Sequence, residues 1–389
     1  MESIALERVN SHLLARQHLS PCTASDIVAI TGDIAGLHAT GASEPYLALF
    51  ARSPGFRRET LDEQLYTGKT LVKMRCMRGT LFILTREMLP AAYAATIPAV
   101  EKLSRRYAEY QGLKMSEYPA VTAAILEMLH GKPLSSSEIK RKPNRLDLHL
   151  PSILNLMCDQ GLLARLQGSW RSQNYRFTPF ADFFPGLDLH VYSESKAIKR
   201  LVQYYLRSFG PVTTDDITWW TGLPKAKIAA ALAVMGDNIV HVSIPEIPGD
   251  FIVLESEYET MRRPVSPHRP VINVLPVLDP YIMGYKKRDS YLDSRHYNMV
   301  FDGAGSATTT ILYNGKITGV WDIDEDASLC KVYLLDGADK KTLAEIEPGL
   351  LTMGEFITGR PVIMDIVPAM TPLTKRTYGG FMSHLKDSI

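Results

Sequence analysis

The chain has 389 residues, 46% of them hydrophobic and 22% charged, with a formal net charge of +1. That is enough chain for roughly two to four domains with cores of their own, and no run approaches the roughly 18 apolar residues of a membrane span. The near-neutral balance does not mark a protein that coats nucleic acid. The opening Met1-Glu2-Ser3-Ile4 is not the basic, apolar pattern of a signal peptide. Cys22, Cys76, Cys158 and Cys330 lie far apart with no Cys-x-x-Cys or Cys/His ligand spacing, which argues against zinc and a disulfide framework and for a reducing cytoplasm.

Residues from about 4 to 90 read as mostly helical. Ile27, Ile30, Ile34 and Leu37 recur at helical spacing and predict a helix from near Ser25 to Leu37, with Asp26 suited to its positive end. Another helix begins at Glu44-Pro45, since proline suits a first helical turn. His38 and Thr40 then fall at the junction of two helices, where a side chain can project into a cleft. The run from Thr70 to Ile83 predicts two short strands about Arg78-Gly79, completing a helix-helix-hairpin order that suits a winged helix.

A similar order follows twice more. From about Tyr118 to Phe184, an apolar helix stops near Gly131, and Ser135 and Glu138 have capping-box spacing before a helix that Pro143 interrupts. Ser152 to Gly161 is a third helix, and Leu162 to Phe177 is a hairpin with a polar tip around Trp170-Arg171. From about Ser195 to Glu257, Lys196 to Phe209 is helical, Thr213 and Asp216 cap the next helix, Lys225 to Gly236 is helical, and Ile239–Val242 with Phe251–Leu254 form strands. The repeat is one of architecture, without a fixed sequence period. Beyond Pro264 the texture turns β-rich, with Asn314-Gly315 between apolar runs as a hairpin signal and a helix near Lys341 to Phe356. The predicted fold class is α+β: three tandem winged helices at 1–115, 116–190 and 191–262, then a small β-barrel at 263–389.

Several motifs occur in a telling order: Gly36-Leu37-His38-Ala39-Thr40, Tyr46 to Arg52, Met77-Arg78-Gly79-Thr80-Leu81, Phe209 to Thr213 with Trp219 to Leu223, and Leu275 to Tyr285 followed by Arg288. From roughly Ala15 to Trp321 the chain resembles the AlkZ/YcaQ-type winged-helix DNA glycosylases. The resemblance implies tandem winged helices and a barrel around a DNA-sized cleft, and excision of alkylated purines, in some members with unhooking of interstrand crosslinks. It implies no metal or organic cofactor. The family carries Gln-x-Gln or Gln-x-Asp where this chain has His38-x-Thr40, so the resemblance assigns the catalytic positions to His38 and Thr40 while changing their chemistry.

Alkylation at a purine ring nitrogen makes the base cationic, so it leaves without needing a proton, and the site must hold a water beside an oxocarbenium-like sugar. A neutral imidazole at His38 can accept a proton from that water, with Thr40 as its second holder, and protonation of His38 then lowers activity in acid. The competing reading is that His38 caps a helix end. Arg78 either meets DNA phosphate or forms an ordinary surface pair. Eight basic residues between Lys132 and Arg176 face only three acids; within them Lys140, Arg141, Lys142 and Arg145, with Trp170 and Arg171 at the second hairpin tip, are the candidate DNA contacts. The bland alternatives are a solvated face and an exposed turn. Asp279 and Arg288 suggest a structural ion pair, and Trp219-Trp220 suggests packing.

The function that follows is a monofunctional DNA N-glycosylase, since no lysine neighbours His38 in sequence, the nearest being Lys69. It acts as a monomer on alkylated or bulky purines in double-stranded DNA, with no membrane partner. The alternative, favoured by the loss of both glutamines, is a winged-helix DNA-binding regulator or damage sensor without catalysis. A third is an enzyme acting on a different nucleic acid.

Overall fold

The computed structural model describes residues 2–20, 25–141, 150–263 and 270–375. Fourteen strands are numbered in chain order, β1 being Glu2–Ser3. The first small sheet uses β2 (Leu37–His38), β3 (Leu71–Arg75) and β4 (Leu81–Thr85) in the order β2-β4-β3. Asp26 caps the preceding helix, its carboxylate accepting from the N–H groups of Val28 and Ala29. That helix, Ile27–Asp33, ends four residues before the sequence predicts. Ala35 and Gly36 take φ of 55° and 98° and turn the chain out of the helix. Leu37 and His38 therefore pair as a strand with Ile83 and Phe82, and His38 stands on a sheet instead of at a helix junction.

The second sheet, β5-β7-β6, comprises β5 (Leu134–Ser135), β6 (Leu163–Ser169) and β7 (Ser172–Pro179). Its capping box forms: Ser135 Oγ accepts from the Glu138 N–H, and the Glu138 carboxylate accepts from the Ser135 N–H. The third sheet joins β8 (Ile239–Ile244) and β9 (Ile247–Leu254) to β1, which adds in parallel to β8. The Thr213–Asp216 box caps helix Thr214–Thr221 as its spacing predicts. A 22-residue helix, Leu89–Tyr110, packs against helices Leu150–Asp159 and Glu194–Phe209 and joins all three units. Its buried Ala91, Ala92 and Ala95 let neighbouring backbones come close.

The last sheet runs β10 (Ile272–Leu275), β11 (Thr310–Tyr313), β12 (Lys316–Asp324), β13 (Leu329–Leu334) and β14 (Ile363–Ile366) in sequential order. Asn314-Gly315 makes the expected turn between β11 and β12. Among the described residues this sheet is open, with β10 and β14 at its edges, so the expected barrel is not closed. The parallel β13–β14 connection passes through helix Lys340–Thr358, whose Ile346, Leu350, Met353 and Ile357 cover the apolar face made by Val274, Ile311, Trp321 and Val332. A sheet whose apolar face lies under a helix does not have to curl on itself to bury it. No helix among the described residues is long and apolar enough to cross a membrane.

One buried ion pair fastens the first unit to this last one. Arg52 donates to both Asp279 oxygens at 2.7 and 2.8 Å, and also to the carbonyls of Gln17 and Ala48 at 2.9 and 3.0 Å. Both side chains are 0% exposed. Asp279 therefore pairs with Arg52 and not, as the sequence suggests, with Arg288. Asp279→Asn leaves a buried guanidinium without its counter-charge and is expected to cost about 3–5 kcal/mol in urea unfolding, whereas the double replacement R52M/D279L regains most of that loss.

Candidate active site and nucleic-acid interface

His38 follows from the β2–β4 register. It pairs with Phe82, which pairs on its other side with Met74, so the three side chains share one sheet face. The imidazole lies 4.4 Å from the Phe82 ring centre and the residue is 3% exposed. Burial, with the charge of Arg78 second, pushes its pKa down to about 3. The ring is neutral across the physiological range and makes no hydrogen bond to another described residue. The acid-sensitive base expected from sequence is thereby corrected. This imidazole does not gain a proton in mild acid, and it is too weakly basic to abstract one efficiently. It can still accept a hydrogen bond from water and aim it.

Arg78 sits on the tight turn between β3 and β4 at φ 54°. Its guanidinium lies 4.1 Å from the Trp219 ring centre. The turn is clamped by the end of helix Thr214–Thr221: a Cβ on Gly222, which has φ 72°, would stand 3.1 Å from the Arg78 nitrogen. Arg288 approaches the same tryptophan at 5.6 Å, donates to Tyr297 Oη at 2.7 Å and the Gly305 carbonyl at 2.8 Å, and lies 3.4 Å over Phe301. Burial, then Arg288, lowers the Arg78 pKa to about 10. Among the described residues no carboxylate forms an ion pair with either arginine, and the Nε of each is buried without a partner. The first unit, the third unit and the last segment thus combine into a cationic spot over Trp219, with Arg78 acting on His38, that suits an anion such as a phosphate.

Thr40 is exposed, and its carbonyl accepts from the Gln173 side-chain amide of β7. The loop beyond it ends on Glu44, which is 8% exposed. Burial pushes the Glu44 pKa up to about 7, opposed by the N–H groups of Glu44 and Gly41 and by Lys73. Lys73 is buried on β3, donates to Gln167 Oε1 at 2.6 Å, and is pushed down to about 8, chiefly by burial. Sequence reading missed Glu44, Lys73 and Gln173. An acid in a first helical turn reads as a helix-dipole complement, and nothing in sequence spacing brings β7 to Thr40.

The other predicted DNA contacts divide. Trp170 packs between Tyr46 and Phe356, with ring centres 6.2 and 6.3 Å away, and under the Arg58 guanidinium at 3.9 Å. Arg171 pairs with Glu325 at 2.5 Å and donates to the Ile357 carbonyl. The second hairpin tip is therefore held against the first unit and the last helix. Lys140 and Arg141 are exposed at the end of helix Ser136–Lys140, while Lys142 and Arg145 lie outside the described residues. Arg165 and Arg176 also answer to acids: Arg165 lies 3.9 Å from Asp159 and Arg176 lies 3.2 Å from Glu138. The basic excess read from the sequence is smaller on the surface than the residue count implies.

The depressed pKa of His38 has a sign that can be checked. Its unfolded value is near 6.5 and its folded value about 3, so the unfolded chain binds the extra proton and stability falls as pH drops below about 6.5. Between about pH 7 and pH 5, wild type is expected to lose roughly 2 kcal/mol more unfolding free energy than His38→Gln in urea titrations.

The family model of the AlkZ-like DNA glycosylases matches residues 31–347. The interstrand DNA cross-link repair glycosylase of Streptomyces sahachiroi is 23% identical over 325 residues, covering 80% of this chain and 85% of that protein. The solved structure of Streptomyces sahachiroi DNA glycosylase AlkZ aligns with a TM-score of 0.77 at 19% identity, covering 94% of this chain and 100% of that one, a likeness of fold. With most of its length matched by the family model, this chain belongs to the AlkZ-like DNA glycosylase family.

Proposed function

We propose that this DNA glycosylase hydrolyses the N-glycosidic bond of alkylated or bulky purines in duplex DNA, crosslinked adducts included, and that it works as a monomer. The observation that carries the reading is a buried, neutral imidazole beside Arg78, which meets Arg288 over Trp219, neither arginine forming an ion pair with a carboxylate among the described residues. The name of the Streptomyces sahachiroi relative supports crosslinks as substrates. Three helix-rich units, each containing a small sheet, support winged helices at 1–115, 116–190 and 191–262, with a sheet domain at 263–389. Buried free thiols at Cys76, Cys158 and Cys330 suit a reducing cytoplasm.

In this reading the bond from the sugar C1′ to the base nitrogen breaks first. Its electron pair neutralises the cationic alkylpurine, which departs without a proton. Water held by His38 and the Thr40 hydroxyl adds to C1′, and its proton passes to solvent. An uncharged His38 does not oppose the sugar cation, and its dipole can orient the water. Arg78 does oppose that cation unless a phosphate neutralises it, so its role is to grip the backbone beside the lesion. A Schiff base is disfavoured because Lys73, paired with Ile83, projects from the sheet face opposite His38 and is engaged by Gln167.

The test is release of abasic sites, read by alkaline cleavage, from methylated and nitrogen-mustard-treated duplex DNA. Wild type is expected to release base, and His38→Ala and Thr40→Ala to lose about 100-fold in rate while still binding the duplex. Binding without abasic sites across the adducts favours the damage-sensor alternative. Arg78→Ala is expected to weaken binding and to reduce the slope of log affinity against log salt by about 1.

A further inference from the structure

We propose that Glu44 is a positioning residue for base excision: its carboxylate, tucked beneath Gly41, fixes the loop that presents Thr40, and does so only while ionised. The inference rests on the excision reading given above. Its geometry is local. A Cβ at Gly41 would collide with the Glu44 carboxylate, so a side chain at residue 41 would displace that group from its place beneath the loop. The carboxylate is more than nine-tenths buried, yet its Oε2 has no hydrogen-bond partner. A group that served only to cap the helix beginning at Glu44 could do so from the surface, without the cost of burying an unpaired oxygen.

The groups facing Glu44 are identified. Lys73 of β3 attracts it, and the pKa of Tyr175 of β7, raised chiefly by burial, is raised further by Glu44; the Tyr175 hydroxyl is buried without a partner among the described residues. Arg165 of β6 acts on both Lys73 and Tyr175, and Asp62, bonded to the Tyr46 hydroxyl at 2.5 Å, acts on Lys73. His38 occupies the other face of the β2-β4-β3 sheet from Lys73, so Glu44 braces the Thr40 loop from behind and does not touch the water. An ionised carboxylate is the stronger acceptor for the Gly41 N–H, and protonation slackens the brace. Burial brings that protonation to about pH 7, whereas His38 stays neutral to about pH 3. An acid limb of activity near neutrality is therefore assigned to Glu44, with Lys73, pushed down to about 8, titrating on its alkaline side.

Activity and stability then run in opposite directions through one group. The raised folded pKa means that stability from this site is present in mild acid and is lost as pH rises from about 4.5 through about 7, while the active, ionised form accumulates over the same interval. The experiment measures single-turnover base release from N7-methylguanine duplex DNA between about pH 5.5 and pH 8.5, with melting temperatures on the same samples. Wild type is expected to rise about tenfold to a plateau above about pH 7.5. Glu44→Gln, which keeps the shape and the acceptor oxygen, is expected to give a flat profile near the wild-type acid rate and to melt higher than wild type at about pH 8. In a Thr40→Ala background, Glu44→Gln is expected to change the rate less than twofold, about what action through Thr40 requires. A Glu44→Gln profile that keeps the acid limb, or a loss that multiplies with that of Thr40→Ala, overturns the proposal while leaving the excision reading intact. Absence of base release by wild type at every pH overturns both.

Discussion

The buried contact between Arg52 and Asp279 governs where everything else in the site can stand. Arg52 reaches two carbonyls of the first unit and both oxygens of a carboxylate 227 residues away. Asp279 also accepts from the Tyr281 N–H at 2.9 Å, and Tyr281 opens an aromatic group with Tyr285 and Tyr291 that leads to Arg288. Tyr285 in turn donates to the Phe209 carbonyl of the third unit at 2.9 Å. Arg78 and Arg288 come from different ends of the chain, and they meet over Trp219 because this chain of contacts holds three segments in one register. A buried ion pair contributes little net stability compared with apolar packing, but it tolerates few alternative arrangements. Its value here lies in fixing geometry.

The electrostatics around His38 follow from two effects of unequal size. Burial is the larger, and the nearby cation adds to it in the same direction. Together they hold the imidazole neutral over the whole range in which DNA is stable. A cationic histidine beside a forming oxocarbenium ion would work against the reaction, so a depressed pKa is an asset there. Neutrality has its own consequence: with so weak a basicity, the role open to His38 on the proposed reading is to orient water, with little proton transfer. This is consistent with a leaving group that needs no proton, because a cationic alkylpurine supplies most of the driving force itself.

Much of the architecture was legible from residue patterns. The Ser135–Glu138 and Thr213–Asp216 spacings became capping boxes, the Asn314-Gly315 turn joined β11 to β12, and the two strands about Arg78-Gly79 formed. These features are set by contacts within a few residues. The errors fell where distant segments decide. The isoleucine periodicity before His38 continues past Ala35, but β4 offers Leu37 and His38 a sheet partner, and the left-handed Ala35–Gly36 step ends the helix. The sequence offers Arg288 as the partner of Asp279, and only the fold shows that Arg52 reaches it. Trp170 and Arg171 look like a free tip until the last helix is seen against them. Glu44 was hidden because its local pattern has a sufficient ordinary explanation.

The replacement of the family's glutamines by His-x-Thr can be weighed against what the reaction asks of those positions. An amide offers both a donor and an acceptor to water, and a carboxylate adds a charge that stabilises the sugar cation. Neutral His38 with the Thr40 hydroxyl supplies an acceptor and a donor but no charge, and the formal charge that acts on His38, Arg78, has the wrong sign. The deficit is removed only when an anion sits against that arginine, and the one anion present at every step of base excision is the DNA backbone itself. On the proposed reading, a duplex gripped by Arg78 would bring phosphates that offset the cations and add negative potential beside the sugar. On the proposed reading the substrate completes the electrostatics of the site, and a motif without a carboxylate suffices, as it does in the family's Gln-x-Gln members.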